Sequence, residues 1–474
     1  RGTCPVRRSH IVIRRMTSTA TPADVPDHQR GLLARLGLRT REHRAWAMYD
    51  WGISGMQTVI MTSVFQIYFI DVAGRGSDSP LQWWSGANTV GAIIVALMAP
   101  ILGALADYAG IKKRFLALWT AVGAAAIGGM WFIHAGDLHM AAVLYIVALI
   151  GATASMAFYE SLLPHITTTA EMDRVSSGGY ALGYLGGGLL LLLNILWIFN
   201  PQWFGLPSGD GLTENQATLP TRLAFVSVAV WWVIFSIPLF RRIREPVRKL
   251  EADETPGENA IRMAFVRLGE TLRELRGYKH AFLMLVAFMI YNDGIQTIIK
   301  MAAAYGTDLG IDRAALIGSI LIVQFVGVPF AFLFGNIAGR IGAKNALFIG
   351  LLVYVFISIL GYFMTTATHF FILAAMVGMV QGGTQALSRS LFASMIPRHK
   401  SGEFFGFYSV FEKFAGIFGP LLFFIMLSAS GSSRNAILSV IFFFVVGAAL
   451  LWRVDPEEGQ RAAREAEEGT APVG

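Results

Sequence analysis

The sequence predicts an all-α membrane protein of about twelve transmembrane helices in two six-helix halves. Composition gives the first reason. Hydrophobic residues make up 54% of the 474 residues, charged residues 15%, and the mean hydropathy is +0.55. A soluble domain carries about 25% charged residues, so this chain has too little polar surface to be one. A duplication gives the second reason. The segment Gly103-Ala-Leu-Ala-Asp107-Tyr-Ala-Gly110-Ile-Lys112-Lys113-Arg114 recurs in weaker form as Gly335-Asn-Ile-Ala-Gly339-Arg340-Ile-Gly342-Ala-Lys344, and 335 − 103 = 232, about half the chain. Leu163-Pro164 and Ile396-Pro397 each close an apolar stretch, and 397 − 164 = 233. A duplicated polytopic bundle is the architecture of a secondary transporter.

A span needs about 20 apolar residues. Runs of that kind lie near 46–70, 83–106, 115–134, 140–160, 179–199, 221–240, 280–304, 313–338, 344–365, 370–390, 404–429 and 435–452. They divide the chain into a basic N-terminal tail (1–45), a first half (46–240), a linker (241–278), a second half (279–453) and a charged C-terminal tail (454–474), read as disordered from Glu457 on. In the linker, Ile261, Phe265, Leu268, Leu272 and Leu275 alternate at spacings of four and three, which predicts an amphipathic helix. Met16 reads as an ordinary start, and residues 1–15 hold no apolar core of signal-peptide length. Cys4 is the single cysteine, so no intrachain disulfide can form.

The net charge of +7 and pI near 9.5 do not point to nucleic acid. The positive residues fall in alternate loops: Arg30 to Arg44, Lys112 to Arg114, Arg241 to Lys249, Arg340 with Lys344, and Arg398 with Lys400. The intervening loops carry Arg75 with Asp71 and Asp78, then Asp137, Asp210 with Glu214, and Asp308 with Asp312. This asymmetry predicts a multi-pass protein of the cell membrane with both termini cytoplasmic. The lipid bilayer and a small-molecule substrate are the partners it implies, and no cofactor is called for.

Charges inside the spans mark the candidate site. A charged residue at a helix centre costs about 2.5–3.5 kcal/mol on insertion scales, so it faces a partner or a wet cavity. In the first span Asp50, Ser54, Gln57 and Thr58 share one face. In the seventh, Asp293, Gln296, Thr297 and Lys300 do the same, with Asn292 beside them. Gln381 and Glu412 (next to Lys413) add polar groups from spans 10 and 11. Asp293 is the first candidate for a proton or substrate-ammonium site and Asp50 the second, with Lys300 as a partner for Asp293 or for a substrate carboxylate. Glu160 and Arg389 fall at span ends, where snorkelling is cheap. Gly179, Gly183 and Gly187 in span 5, and Gly378, Gly382 and Ala386 in span 10, predict close helix packing.

The segment from Gly103 to Arg114 resembles the signature loop of the major facilitator superfamily, which implies a gating latch built from Gly103, Asp107, Gly110, Lys112, Lys113 and Arg114. Across the loop, Asp107 can accept from helix-end amides and a basic residue at 112–114 can cap a helix C-terminus. The copy has Gly339 where the first has Asp107, so a latch acid comes from the first half alone. A narrower resemblance rests on Tyr49-Asp50-Trp51, Phe158-Tyr-Glu-Ser-Leu-Leu-Pro164, the run from Arg174 to Gly188, Tyr291-Asn-Asp-Gly-Ile-Gln296 and Gln385-Ala-Leu-Ser-Arg-Ser390. These resemble the autophagy-related vacuolar amino-acid effluxer family and its bacterial relatives. The sequence departs from that pattern after Trp51 and at Glu160. The resemblance implies a twelve-span facilitator with amino acids as substrates.

The expected function is alternating-access transport of a small polar solute, with the proton as candidate coupling ion. Alternatives are an exporter of amphipathic compounds, which the many Phe residues fit, and a non-transporting sensor. An enzyme is not expected: no His-Glu-x-x-His, Gly-x-Ser-x-Gly or phosphate-binding Gly-Lys-Ser/Thr motif is present.

Overall fold

The computed structural model describes residues 32–35, 37–78, 80–246, 273–311, 313–415 and 418–468. Most of the basic tail and the 261–272 part of the linker helix lie outside the described residues. The described part is an all-helical bundle. The first half comprises α1 (Arg41–Ala73), α2 (Pro80–Ala109), α3 (Lys112–Gly129), α4 (Leu138–Ser161), α5 (Thr169–Phe199) and α6 (Glu214–Arg242). The second comprises α7 (Lys279–Asp308), α8 (Arg313–Ile341), α9 (Ala343–Tyr362), α10 (Ala367–Ser394), α11 (Ser401–Phe414 and Phe418–Ser430) and α12 (Ser433–Trp452). Among the described residues, ten helices are long and apolar enough to cross a membrane by themselves. With α2 and α11, whose qualifying apolar stretches are shorter, they make the twelve expected.

Local chemistry sets the helix ends. Thr40 accepts from the His43 amide at the start of α1, Thr213 forms a capping box with Gln216 before α6, and Thr366 accepts from the His369 amide before α10. Gly110 (φ 62°) and Gly342 (φ 85°) turn the chain in the left-handed region between α2 and α3 and between α8 and α9. They are the same distance apart as Gly103 and Gly335, since 342 − 110 = 232. The Ile111 amide bonds back to the Ala106 carbonyl at 3.1 Å, closing α2 across its glycine. Pro420 stands in the first turn of the second segment of α11, where its missing N–H is tolerated; a continuous helix through that point would lose a bond.

The repeated glycines mark where the halves touch. A Cβ on Gly103 would collide with the Gly402 carbonyl oxygen, so α2 and α11 cross backbone to backbone. A Cβ on Gly335 would lie 2.7 Å from the Ser177 Cβ, where α8 crosses α5. The small face of α5 packs as expected, with Gly183 and Gly187 against Ser54 of α1. Gly378 lies on Val323 of α8, and Gly382 lies on Tyr184 of α5.

The crossings at Gly103 and Gly335 lie toward the face that carries the start of α1 and the end of α12, called here the terminal face. The polar bridges described at the opposite face stay inside one half. Arg75 pairs with Glu214, the Arg222 guanidinium meets His134, and Arg434 donates to the Tyr362 and Met364 carbonyls.

The C-terminal tail departs from the expectation of disorder. Residues Pro456–Glu468 form α13. Asp455 accepts from the Glu457 and Glu458 amides, Pro456 opens the helix, and two glutamates stand in its first turn. The reason is capping plus docking, which charge content alone did not reveal. His280 meets both the Asp455 amide and the Glu458 carboxylate, Glu467 accepts from the Arg398 amide, and Ala463 is buried. The Glu458 amide holds the Asp455 carboxyl below the usual carboxylate range. This cap is therefore in force above the unfolded carboxyl pKa of about 3.9 and is lost as pH falls through the lowered value.

The backbone crossing makes a first prediction. Gly103→Val should lower the thermal unfolding midpoint in detergent by an amount corresponding to about 1–3 kcal/mol. Gly86→Ala, with nothing within 4 Å of the added Cβ, should leave it unchanged or raise it slightly, since alanine is the better helix former. Equal midpoints for both variants would contradict the close approach of α2 and α11.

Candidate functional site

Two buried polar clusters lie in the bundle, joined by α10. The first is built around Arg389. This side chain is fully buried (0% exposed), and so is Glu160 (3%). The expectation that both snorkel from span ends is therefore wrong. The halves close over them, so the guanidinium must find its partners inside. Its Nε donates to Ser176 Oγ at 3.0 Å and one terminal nitrogen to the Ser176 carbonyl at 3.0 Å. The other terminal nitrogen lies 3.5 Å from Asp50 Oδ2 and 3.8 Å from Glu160 Oε1. Three aromatic rings hold the cation, Tyr180 at 4.4 Å, Trp46 at 4.8 Å and Tyr159 at 5.7 Å from their centroids.

Each element contributes for a local reason. Trp46 and Tyr159 stack at 4.4 Å, and the Trp46 indole donates to the Tyr159 carbonyl, fixing α1 against α4. The Tyr159 hydroxyl donates to Asp50 at 2.8 Å. A Cβ on Gly179 would lie 2.7 Å from Trp46, 2.8 Å from Asp50 and 3.3 Å from Arg389. Only glycine lets α5 approach the charges this closely. Arg389 belongs to the second half; Asp50, Glu160 and Ser176 belong to the first.

The second cluster surrounds Asp293, buried near the middle of α7. Its two carboxylate oxygens accept from the Phe418 amide at 3.1 Å and the Gly419 amide at 2.8 Å. Asp293 thus caps the N-terminus of the second segment of α11, where a carboxylate is favoured by both the free amides and the helix dipole. A Cβ on Gly419 would collide with Thr297 Oγ1, so this approach also requires glycine. Asn292 accepts from the Gln385 amide at 2.7 Å, and the Tyr291 hydroxyl meets Ser388 at 2.5 Å. Gln385 and Ser388 face α7 while Arg389 faces the other half, so α10 spans both clusters.

The remaining candidates divide by exposure. Gln296, Gln381 and Glu412 are half-buried, and Lys300 and Gln57 are exposed. The face expected for α1 is split: Asp50 and Thr58 are buried while Gln57 is not. A widened π turn spans Met56–Met61. The side chains of Asp107 and Lys413 lie outside the described residues.

The loop candidates form a polar closure at the terminal face. Lys112 is buried and donates to Ser401 Oγ at 2.7 Å, across the half–half boundary, with His165 Nε2 at 3.2 Å. It therefore bridges the halves, whereas the sequence suggested a helix-capping role. Lys113 does cap: it donates to the Ile243 carbonyl, at the C-terminal end of α6. Arg114 is exposed. Ser390 of α10 donates to Asp173 of α5 at 2.6 Å, a second polar link between the halves.

The residues undervalued in the sequence are Arg389, Glu160, Tyr159, Ser176 and Tyr180. A signal existed: three of the motif stretches quoted above, around Tyr159, around Ser176 and around Arg389, converge on one guanidinium.

These clusters predict an order of stability. Arg389→Ala removes the buried cation that meets Asp50 and Glu160 and should cost about 3–5 kcal/mol. Asp293→Ala removes an N-cap and should cost about 0.5–2 kcal/mol. Thermal unfolding in one detergent ranks the two, and a reversed order would mean that Arg389 is not the pairing centre described.

Comparison with known proteins fits this architecture. Residues 87–464 match the family model described as "Vacuole effluxer Atg22 like". The chain is 34% identical over 422 residues to a protein of Bacillus subtilis described as an uncharacterized MFS-type transporter, YxiO, covering 88% of this chain and 96% of that one. It is 27% identical over 320 residues to autophagy-related protein 22 of Yarrowia lipolytica, covering 61% and 51%. The chain thus spans about half the length of such fungal relatives. Among solved structures, FucP in the outward conformation superposes with a TM-score of 0.64 at 13% identity, covering 89% of this chain and all of that one. A bacterial ferroportin homologue in the outward-facing state gives 0.60 at 14% identity, covering 87% and 99%. At such identities the likeness shows the fold alone. The chain is a non-enzymatic membrane transporter of the major facilitator superfamily and belongs to its Atg22-like vacuole effluxer family.

Proposed function

We propose that this protein moves amino acids by alternating access, coupled to protons, in the cell membrane with both termini in the cytoplasm. One observation carries the alternating-access reading. The halves are tied together by buried polar links at the terminal face, and the polar bridges described at the opposite face stay within each half. A carrier with one gate shut has this distribution of contacts. The basic loops at the terminal face support its assignment to the cytoplasm.

The solute class rests on charge. An amino acid carries an ammonium and a carboxylate, and a site for it needs groups of both signs with neutral donors between. Asp293, Glu412 and Lys300, with Gln57, Asn292, Gln296 and Gln381, are the groups assigned to this task. Asp293 has a second task in the same reading. Its carboxylate ties α7 to the second segment of α11, so a proton or a substrate ammonium competing for it would loosen that segment. Proton coupling follows from carboxylates placed inside the spans.

The test is flux. Purified protein in liposomes should take up one or more labelled amino acids saturably, and faster with an imposed pH gradient. Asp293→Asn should lose gradient-driven uptake by at least about tenfold, the effect of 1.4 kcal/mol, while remaining monodisperse. Absence of amino-acid flux in folded protein would remove the substrate assignment. Normal uptake by Asp293→Asn with unchanged pH dependence would remove the role of Asp293.

A further inference from the structure

Four carboxamides lie along the seam between α7 and α10. The contacts Tyr291–Ser388 and Asn292–Gln385 show that the two helices run antiparallel, since the number falls on α10 as it rises on α7. Gln296 stands one turn after Asn292, and Gln381 one turn before Gln385, so each shares its neighbour's face. Both steps lead away from the terminal face. Exposure follows the same direction. Asn292 has no exposed surface and Gln385 only 9%, while Gln296 and Gln381 are half-buried. A polar side chain turned to lipid is costly, so the outer pair opens onto the interior of the bundle.

The deep pair is incompletely bonded. Gln385 Nε2 donates to Asn292 Oδ1 at 2.7 Å, and no second bond joins the two amides. Two carboxamides meeting edge to edge make two such bonds. Asn292 Nδ2 is buried without a hydrogen-bond partner, and Gln385 Oε1 accepts no bond among the described residues. Turning both amides over exchanges donor and acceptor but still leaves one free end on each. A buried donor left unpaired costs about 1–3 kcal/mol. Holding α7 to α10 does not call for that cost, because the Tyr291 hydroxyl already meets Ser388 at 2.5 Å one residue away.

We infer that Asn292, Gln385, Gln296 and Gln381 form the subsite for the solute's side chain, and that this side chain ends in a primary carboxamide, as in glutamine and asparagine. The inference deepens the amino-acid reading above and rests on it for the rest of the solute. The free ends are one donor and one acceptor, the complement of a carboxamide's own carbonyl and N–H. A carboxylate satisfies the donor but sets oxygen against oxygen at the acceptor. A thioether of the same length leaves both ends unpaired. A site built on hydrogen bonds rejects an analogue lacking the matching group far more strongly than an apolar pocket rejects one methylene. Gln385 is thereby a specificity-determining residue, paired with Asn292. Asp293, assigned above to the ammonium, follows Asn292 directly on α7, so one solute of amino-acid size spans both positions.

Binding tests this directly. The full chain in detergent is titrated separately with glutamine, asparagine, methionine, glutamate and xylose, and the rise of the unfolding midpoint with concentration gives each Kd. Methionine matches glutamine in length without the carboxamide, glutamate replaces it with a carboxylate, and xylose is hydroxylated but no amino acid. Glutamine or asparagine should bind at least about tenfold more tightly than methionine and glutamate. Gln385→Met should bring glutamine and methionine to within about threefold of each other. Gln381→Met, one turn toward the opposite face, should narrow the same ratio and keeps the test open if Gln385→Met folds poorly. A merely structural role for these residues would weaken all solutes alike and leave the ratio intact. Methionine or glutamate binding the parent as tightly as the carboxamides would overturn the inference and leave the amino-acid reading standing. A preference unchanged in both variants would overturn it as well, by placing the contact elsewhere. No shift with any amino acid, whether or not xylose binds, would overturn the inference and the amino-acid reading together.

Discussion

The arrangement depends on burying one guanidinium between the two halves. Arg389 has no exposed surface, and a cation in the middle of a membrane protein must be compensated by charge, hydrogen bonds and polarizable rings together. The first half provides all three from separate helices. Asp50 and Trp46 come from α1, Glu160 and Tyr159 from α4, and Ser176 and Tyr180 from α5. These helices must therefore sit in one relation to one another and to α10. Gly179 is where that demand reaches the backbone, since any side chain there would occupy the space of the charges.

The two halves share an origin in sequence but not a chemistry. The duplicated glycines serve the same purpose twice. Gly103 brings α2 onto α11 and Gly335 brings α8 onto α5, while Gly110 and Gly342 turn the chain just beyond. Around this common frame the acids of the first half, Asp50 and Glu160, meet a cation from the second half, whereas the second holds Asp293 on the broken end of its own α11. A symmetric scaffold with asymmetric charges allows rocking about a shared axis while tying each charge to a different motion. Helix α10 runs through both clusters, so a shift that frees Arg389 also strains the contacts of Gln385 and Ser388 with α7.

At the terminal face the two halves meet through polar groups. Lys112 reaching Ser401, and Ser390 reaching Asp173, are links that water can replace when the halves part. The C-terminal helix adds a strap within the second half. It joins the start of α7, through His280, to the turn after α10, through Arg398. Lys344 meanwhile donates to the Trp452 and Val454 carbonyls at the end of α12. The second half is thus bound into one body at the face where it meets the first.

The sequence by itself determined the class, the duplication and the number of helices, because these follow from local quantities. Apolar run length, charge in alternate loops and glycine spacing all survive without knowledge of contacts. It also identified Asp50 and Asp293 as charges in need of partners, since the cost of a buried charge is a property of the residue and its depth. Tertiary structure alone decided what those partners are. Arg389 lies 339 positions from Asp50 in sequence (389 − 50) and in the other half, and its position near a span end disguised its burial. The amides that hold Asp293 exist only because α11 breaks before Phe418, and the π turn over Met56–Met61 of α1 is a register shift no periodicity announces. The order in α13 likewise came from docking onto His280 and Arg398, which a run of charged residues does not encode.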